Sequence, residues 1–506
     1  METLVSISDG LWNPMAYFAL AVGLFFTLLT GASQFRLLPD TVRQIFKPRA
    51  EDDGGIAPLQ ALLLTISSRV GVGNIAGVGT AIAAGGPGSL FWMVVCALLG
   101  SASAFAESTL AQVYKRKING EHRGGMPFYV RYGLRIKWLA ATLAVMTMIG
   151  YGFLFPGVQS NNIASGLEHA FGIPVWVSAT AVTILLGFVI IGGTKRIVGA
   201  AQFMVPIMAV GYISVALIVV VFNFDKILPT LELVLSSAFG LHEIFGGLAG
   251  AAVAWGVRRA VFSNVAGVGE GTYGSAAASV SHPAKQGLVQ SFSIFIDTVV
   301  VCFATGIMIV MTGSYNVFDK QGNAVVNQLP GIDAGSAYTQ EAVNTVMPGF
   351  GPAFVAIALF FFAFTTLVAF YYIAHTNLVF LTGHEPGRLL NVVLKLGMLG
   401  ITFYGAVESA DVMWTVGDIG YASLGWVNMI CILMLAPVVR KVIKDYDSQR
   451  KLGADPVFDP RRLGITGADF WTDNLTGAVV LAAGGSQPTG TTPVNPEGDS
   501  KQVPAK

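Results

Sequence analysis

Eleven stretches of this chain are apolar over roughly the 20 residues that a helix needs to cross a bilayer. They run over 15–31, 58–84, 88–114, 137–168, 174–192, 197–223, 243–279, 286–313, 350–376, 387–408 and 411–437. Charged residues make up only 12% of the 506 residues, against about 25% in a soluble domain. A chain this size cannot cover its surface with so few water-compatible side chains. The sequence therefore predicts an all-α integral membrane protein with eleven transmembrane helices. Residues 1–13 hold no Lys or Arg and do hold Glu2 and Asp9, so the first stretch is expected to be an uncleaved helix and not a signal peptide.

The basic residues give the orientation. With the N-terminus outside, 24 of the 30 Lys and Arg residues fall in cytoplasmic loops or after residue 438, two (Lys226, Lys320) lie outside, and four (Arg69, Arg258, Arg259, Lys395) lie within spans. The positive-inside rule thus predicts a multi-pass protein of a bacterial-type inner (plasma) membrane, N-terminus out and C-terminus in. The 314–349 connection is expected as an external surface loop, and the Gly/Ser/Pro/Thr-rich end from Gly484 to Lys506 as disordered. A net charge of +1 gives no reason to expect a nucleic-acid partner, and no obligatory protein partner is evident. Cys96, Cys302 and Cys431 sit singly in apolar runs, which is neither a disulfide framework nor a metal-binding spacing.

Two stretches are too long for one straight crossing. The 27 residues of 58–84 would rise about 40 Å as a helix, against a hydrocarbon core of about 30 Å. Each long stretch also carries small and polar residues at its middle: Ser67-Ser68-Arg69-Val70-Gly71-Val72-Gly73-Asn74-Ile75-Ala76-Gly77 in one, Ser263-Asn264-Val265-Ala266-Gly267-Val268-Gly269-Glu270-Gly271 in the other. Backbone may unwind at membrane depth only where it is buried in protein or lines a cavity. Setting aside the extra first helix (1–33), the broken segments are the first and sixth spans of a ten-helix core and cross in opposite senses. This pattern predicts a five-plus-five inverted repeat with a site at the midplane. Its halves are 58–223 and 243–438, followed by a cytoplasmic tail over 439–506.

At this point the sequence resembles the alanine or glycine:cation symporter family. The resembling residues are Gly71-Val72-Gly73-Asn74-Ile75-Ala76-Gly77-Val78 with Gly85-Gly86-Pro87-Gly88, Gly125-Met126-Pro127-Phe128-Tyr129, Gln159-Ser160-Asn161, Val261-Phe262-Ser263-Asn264, His282-Pro283 with Gln286-Gly287, and Asp297-Thr298. The resemblance runs from about residue 15 to 440 and implies cation-coupled uptake of small neutral amino acids on a leucine-transporter-type fold. The chain departs from the family pattern at Val265, where Glu is common, and at Phe370, where Trp is expected.

An amino acid brings a carboxylate and an ammonium, and each needs a partner when buried. The restarting half-helix at Val72, Gly73 and Asn74 offers free N–H groups to the carboxylate. Carbonyl groups over Ser263, Asn264 and Gly267, with the Gln159 side chain, are the expected acceptors for the ammonium, and Phe370 is expected against the substrate side chain. The resemblance further implies Na+ as the coupling ion, on the carbonyls of Ser67, Val70 and Phe362 and the hydroxyls of Thr365 and Thr366. The competing expectation for each threonine is a bond back to its own helix. Failing sodium, H+ would drive uptake through Glu270 or Asp297, with serine or glutamine as an alternative cargo. Four acids (Glu107, Glu270, Asp297, Asp418) balance the four in-span bases, so some are expected to be structural pairs, Glu107 and Lys395 first, with the partner of Arg69 unnamed. A channel would call for a filter-like repeat, and an enzyme for a nucleophile with a base, but Ser263 has no evident His partner. Transport is the function these residues favour.

Overall fold

The structure, a computed structural model, describes residues 1–47, 54–319 and 321–473. Helices cover every one of the eleven apolar stretches. Among the described residues, eight are long and apolar enough to cross a membrane: Glu2–Leu29, Ser89–Val113, Lys137–Phe171, Arg196–Phe222, Pro283–Thr312, Phe350–Thr382, Arg388–Val407 and Ala410–Met434. A ninth forms when Pro58–Arg69 and Gly73–Gly85, bent by 56° at their junction, are taken as one span. Val175–Ile191 is apolar but shorter, at 17 residues. The second long stretch is broken into Ala249–Asn264 and Gly271–Ala277.

Helix Ser89–Val113 lies at the centre, packed on Pro283–Ile294, Ala249–Asn264 and Glu2–Leu29. Its run Gly100-Ser101-Ala102-Ser103-Ala104 explains the closeness, because small side chains let helix backbones approach where lipid gives no hydrophobic drive. On the other side, Phe350–Thr382 packs on Phe155–Phe171, Lys137–Ile149, Gly193–Phe222 and Pro58–Arg69. The two broken helices are thus enclosed between these longer ones. Prolines open Pro58–Arg69 and Pro283–Ile294, where their missing N–H costs nothing.

Among the described residues, four wide π-helical turns interrupt the bundle, at Gly73–Gly77, Val130–Leu134, Gly150–Leu154 and Phe295–Cys302. Such turns concentrate at functional sites, because the extra residue pushes a side chain out of the ladder.

The structure departs from the sequence reading in three places. The first helix begins at Glu2, not near 15. Its polar start lowers the local hydropathy, but Ser8 and Asp9 meet Arg258 at 2.6 Å and 2.8 Å. The 314–349 connection is folded, with an antiparallel hairpin pairing Asn316–Phe318 with Ala324–Asn327, then helix Ser336–Asn344. The connection between the apolar stretches 197–223 and 243–279 carries its own helix, Ile227–Ala238. The expected disordered end, 484–506, and Lys320 lie outside the described residues.

After helix Ala436–Lys451 the chain returns along the bundle end. The Phe458 N–H donates to the Ser281 carbonyl (2.9 Å) and the Trp471 indole N–H to the Gln112 carbonyl (2.9 Å). Asp445 stands between His282 at 3.3 Å and Arg462 at 2.5 Å. Burial alone would raise the Asp445 carboxyl, but the His282 bond and the two neighbouring cations hold it below its usual value.

Candidate functional site

The first break is short. Val70 ends the Pro58–Arg69 helix in an extended conformation (ψ 90°), and the chain resumes in the π-helical turn from Gly73. The Gly71 N–H donates to Asn74 Oδ1 at 2.9 Å, so the Ser67 carbonyl lacks the bond that a continuous helix would give it. The Val72 N–H donates to Gln159 Oε1 at 3.2 Å.

The second break is longer. Val265, Gly267 and Gly269 take left-handed φ values of 47°, 80° and 95°, and Asn264 Oδ1 accepts the Ala266 N–H at 3.0 Å. Glycine reaches this region freely, but a β-branched residue such as Val265 is strained there.

The two breaks touch. A Cβ on Gly73 would lie 2.9 Å from the Ser263 Cα, so glycine at 73 lets the second broken helix reach the first. In this arrangement the face of Gly73 that a side chain would occupy is filled by Ser263. Asp297, from the π-helical turn of a third helix, joins them. Its carboxylate accepts from Asn74 Nδ2 at 2.7 Å, Ser263 Oγ at 3.1 Å and Thr298 Oγ1 at 2.7 Å. Thr298 in turn accepts from Asn264 Nδ2 at 3.1 Å. One carboxylate thus binds a side chain from each break.

Gln159 faces the first break, but its oxygen is occupied by Val72, while Asn161 donates away to the Gly405 and Glu408 carbonyls at 3.0 Å and 2.7 Å. Gly267 gives its carbonyl to Asn428 Nδ2 at 2.8 Å. Both threonines donate back to the Phe362 carbonyl, Thr365 at 2.9 Å and Thr366 at 3.0 Å, so the competing expectation holds. That bond uses each hydroxyl's hydrogen and leaves its oxygen lone pairs available. The pair also diverges. Thr366 Oγ1 lies where a Gly71 Cβ would stand (2.6 Å from it), while Thr365 Oγ1 faces the Met208 sulfur at 3.9 Å. Phe370 belongs to an aromatic cluster, edge-on to Tyr151 with centroids 5.0 Å apart, which continues through Phe155, Tyr421 and Phe262.

The in-span charges do not pair evenly. Asp418 takes both Arg258 and Arg259, at 2.8 Å and 3.0 Å, and Asp9 shares Arg258. Lys395 lies 5.9 Å from the Tyr371 ring and pairs with none of the four acids. Arg69 is wholly buried and donates to the Gln290 carbonyl at 3.2 Å and to Ser293 Oγ, with Glu107 at 4.0 Å. Glu107 also accepts from Asn428 Nδ2 at 2.9 Å. Asn428 was absent from the sequence reading. Its only signal is an amide within the apolar run 411–437, and a lone amide there reads as packing.

The sequence profile of the sodium:alanine symporter family matches residues 1–460. A Bacillus subtilis protein provisionally named a sodium/proton-dependent alanine carrier is 49% identical over 476 residues, 94% of this chain and 98% of that one. A Bacillus sp. PS3 protein named a sodium/proton-dependent alanine carrier is 46% identical over 83% of this chain and 94% of its own. A second Bacillus subtilis protein, provisionally named a sodium/glutamine symporter, is 37% identical over 90% of this chain and 93% of its own. This multi-pass membrane protein, with its two broken helices meeting at Gly73 and Ser263, belongs to the sodium:alanine symporter family.

Proposed function

We propose that the chain is a secondary active symporter that imports small neutral amino acids, alanine or glycine first, coupled to Na+. It works by alternating access around the junction of the two broken helices. The observation that carries the reading is the Asn74–Asp297–Ser263 bridge between two unwound segments in a chain of this family. Unwound backbone enclosed by protein at membrane depth is where transporters of this build hold substrate and ion. All eleven helical stretches cross in this reading, as one extra helix (1–33) before inverted repeats 58–223 and 243–438. The N-terminus is outside the plasma membrane and the tail from 439 is cytoplasmic.

Substrate binding uses the first-break backbone at Val72 and Gly73, together with Asn74, Gln159, Ser263, Asn264 and Gly267, and Phe370 bounds the side-chain end. In the arrangement described here Asn74, Gln159 and Gly267 are engaged within the protein, so admitting a substrate requires the two breaks to part. Na+ is held by the Ser67, Val70 and Phe362 carbonyls with the Thr366 hydroxyl, while Thr365, the other threonine expected as a ligand, faces Met208. Glutamine or serine is the alternative cargo, supported by the relative named for glutamine.

Counterflow in proteoliposomes tests this. Labelled alanine or glycine is expected to exchange against unlabelled substrate and to accumulate under an inward sodium gradient. Exchange of glutamine but not alanine would favour the alternative, and no exchange of any neutral amino acid would overturn the reading.

A further inference from the structure

The second break carries a carboxylate that neither the substrate site nor the sodium site uses. Glu270 immediately precedes helix Gly271–Ala277 and is 1% exposed, and neither of its oxygens has a hydrogen-bond partner among the described residues. The Ser68, Tyr151 and Tyr421 side chains face it without reaching hydrogen-bond geometry, and the Tyr151 hydroxyl is itself unpartnered. An ionised carboxylate in such a place is costly unless something neutralises it.

The other charged and titratable groups around it are accounted for. From the first broken helix comes Arg69, lying against Gly271 with its Nε and Nη2 unbonded. From helix Ser89–Val113 comes Glu107, which has the Asn428 amide and shares Arg69. From the Phe295–Cys302 turn comes Asp297, whose oxygens accept from Asn74, Ser263 and Thr298. Tyr273 on its own helix donates to Asn377 at 3.0 Å. Arg123, on the hairpin packed against Gly271–Ala277, is turned to Glu121 at 2.6 Å and to Thr376 at 2.9 Å. One guanidinium therefore serves three acids. Two of those acids have further donors, and Glu270 has none.

We infer that Glu270 is a proton-binding site of the carrier, taking up one proton from the side to which the junction opens and releasing it on the other. The step forms one O–H bond on a Glu270 carboxylate oxygen as one O–H bond of a hydronium ion in the water on the open side breaks and leaves water, and release to water on the other side reverses it. A proton fits better than a second metal ion for two reasons. Among the described residues no three His, Cys, Asp or Glu side chains converge as metal ligands, and a cation here would share the space with the Arg69 guanidinium. Protonation makes Glu270 neutral and gives it a hydrogen to donate to the facing hydroxyls. Because Glu270 lies within the second break, and Ser68 and Arg69 at the first, parting of the breaks changes what surrounds the acid. That difference between states is what coupling requires.

The inference rests on the transport reading, and one experiment separates the two. Purified protein in liposomes loaded with a pH-reporting dye is given external alanine under a sodium gradient. The parent is expected to acidify the lumen as alanine enters, and an inward proton gradient alone should drive uptake. Glu270→Gln, a fixed neutral mimic, is expected to keep alanine counterflow and to lose alanine-dependent acidification down to the background leak. Glu270→Asp should keep acidification with a shifted pH dependence. A parent that takes up no alanine overturns both readings. A parent that takes up alanine without moving protons overturns this one alone and makes Glu270 a permanently neutral acid, a result that needs no variant to fold. Acidification retained in Glu270→Gln also overturns the assignment.

Discussion

The two broken helices solve one problem by different means. The first interrupts its helix over few residues, with one extended residue, two glycines and a side-chain cap from Asn74 that stands in for the missing backbone bond. The second unwinds over 265–270 through three left-handed residues and returns its Gly267 carbonyl to Asn428 of another helix. The first break's freed groups are thus met locally or by Gln159, and the second is fastened to the helix Ala410–Met434. A segment capped by its own side chain can move as a unit. One tied to a neighbour must move with that neighbour or let go. The first break has both kinds of link, its own Asn74 cap and ties to Gln159 and Asp297 of other helices, and Asp297 is the group through which it holds the second.

The largest expected effect comes from separating them. Gly73→Leu should abolish alanine counterflow while the protein still inserts in the membrane, because the added atoms meet the Ser263 Cα, which cannot rotate away. At the second break the corresponding neighbour of Gly267 is the Met429 side-chain end, at 2.8 Å, which can yield. Gly267→Ala should therefore lose only what its positive φ costs, about 1–2 kcal/mol, and retain measurable exchange. Equal loss in both variants would end the distinction.

Next in size is Asp297→Asn. An amide cannot accept from Asn74, Ser263 and Thr298 together, and loss of a charge-assisted bond costs about 1.5–3 kcal/mol. Apparent alanine affinity should fall by roughly 10- to 100-fold, and Asn74→Ala and Ser263→Ala should add little on that background. Additive losses, read from a double-mutant cycle of exchange rates, would show that the two breaks are not joined through this carboxylate.

A smaller effect separates the two threonines. Thr366→Ala should raise the half-saturating sodium concentration by about tenfold, the loss of a ligand worth about 1.4 kcal/mol, and Thr366→Ser should be mild. Thr365→Ala, facing Met208, should change it little. By linkage, whatever sodium contributes to alanine binding must shrink equally in the reverse measurement. A larger effect from Thr365 would place the ion on the other side of the helix.

The smallest concerns strain. Val265→Gly removes a β-branched side chain from φ 47° but adds backbone freedom to the unfolded chain. A net gain below about 1 kcal/mol is expected, seen as a slight rise in the thermal midpoint of the detergent-solubilised protein.

Both breaks were legible in the sequence, because glycine, serine and asparagine in place of leucine at membrane depth have few other meanings. What the sequence could not give was the partner of each polar group. Asn74 and Asp297 are 223 positions apart, and no local periodicity carries such a contact. The adjacent threonines looked like one pair, but neighbours on a helix point about 100° apart, so only Thr366 can face Gly71. The even balance of four acids and four bases was misleading as chemistry, since Asp418 takes two arginines while Arg69 is left with three acids. Phe370 was placed by resemblance alone, and its actual contacts are the Tyr151 and Phe155 rings.

The π-helical turn at Phe295–Cys302 amounts to one residue more than an α-helix would hold over the same rise. Everything beyond it is rotated by about 100° relative to a continuous helix. Thr305, whose hydroxyl meets Tyr212 at 2.6 Å, faces its partner only because that extra residue is present. The chain there is counted by phase as well as by composition. Deleting any single apolar residue between 298 and 302 should therefore be more harmful than replacing it, since a deletion re-aims a whole half-helix and a substitution alters one side chain.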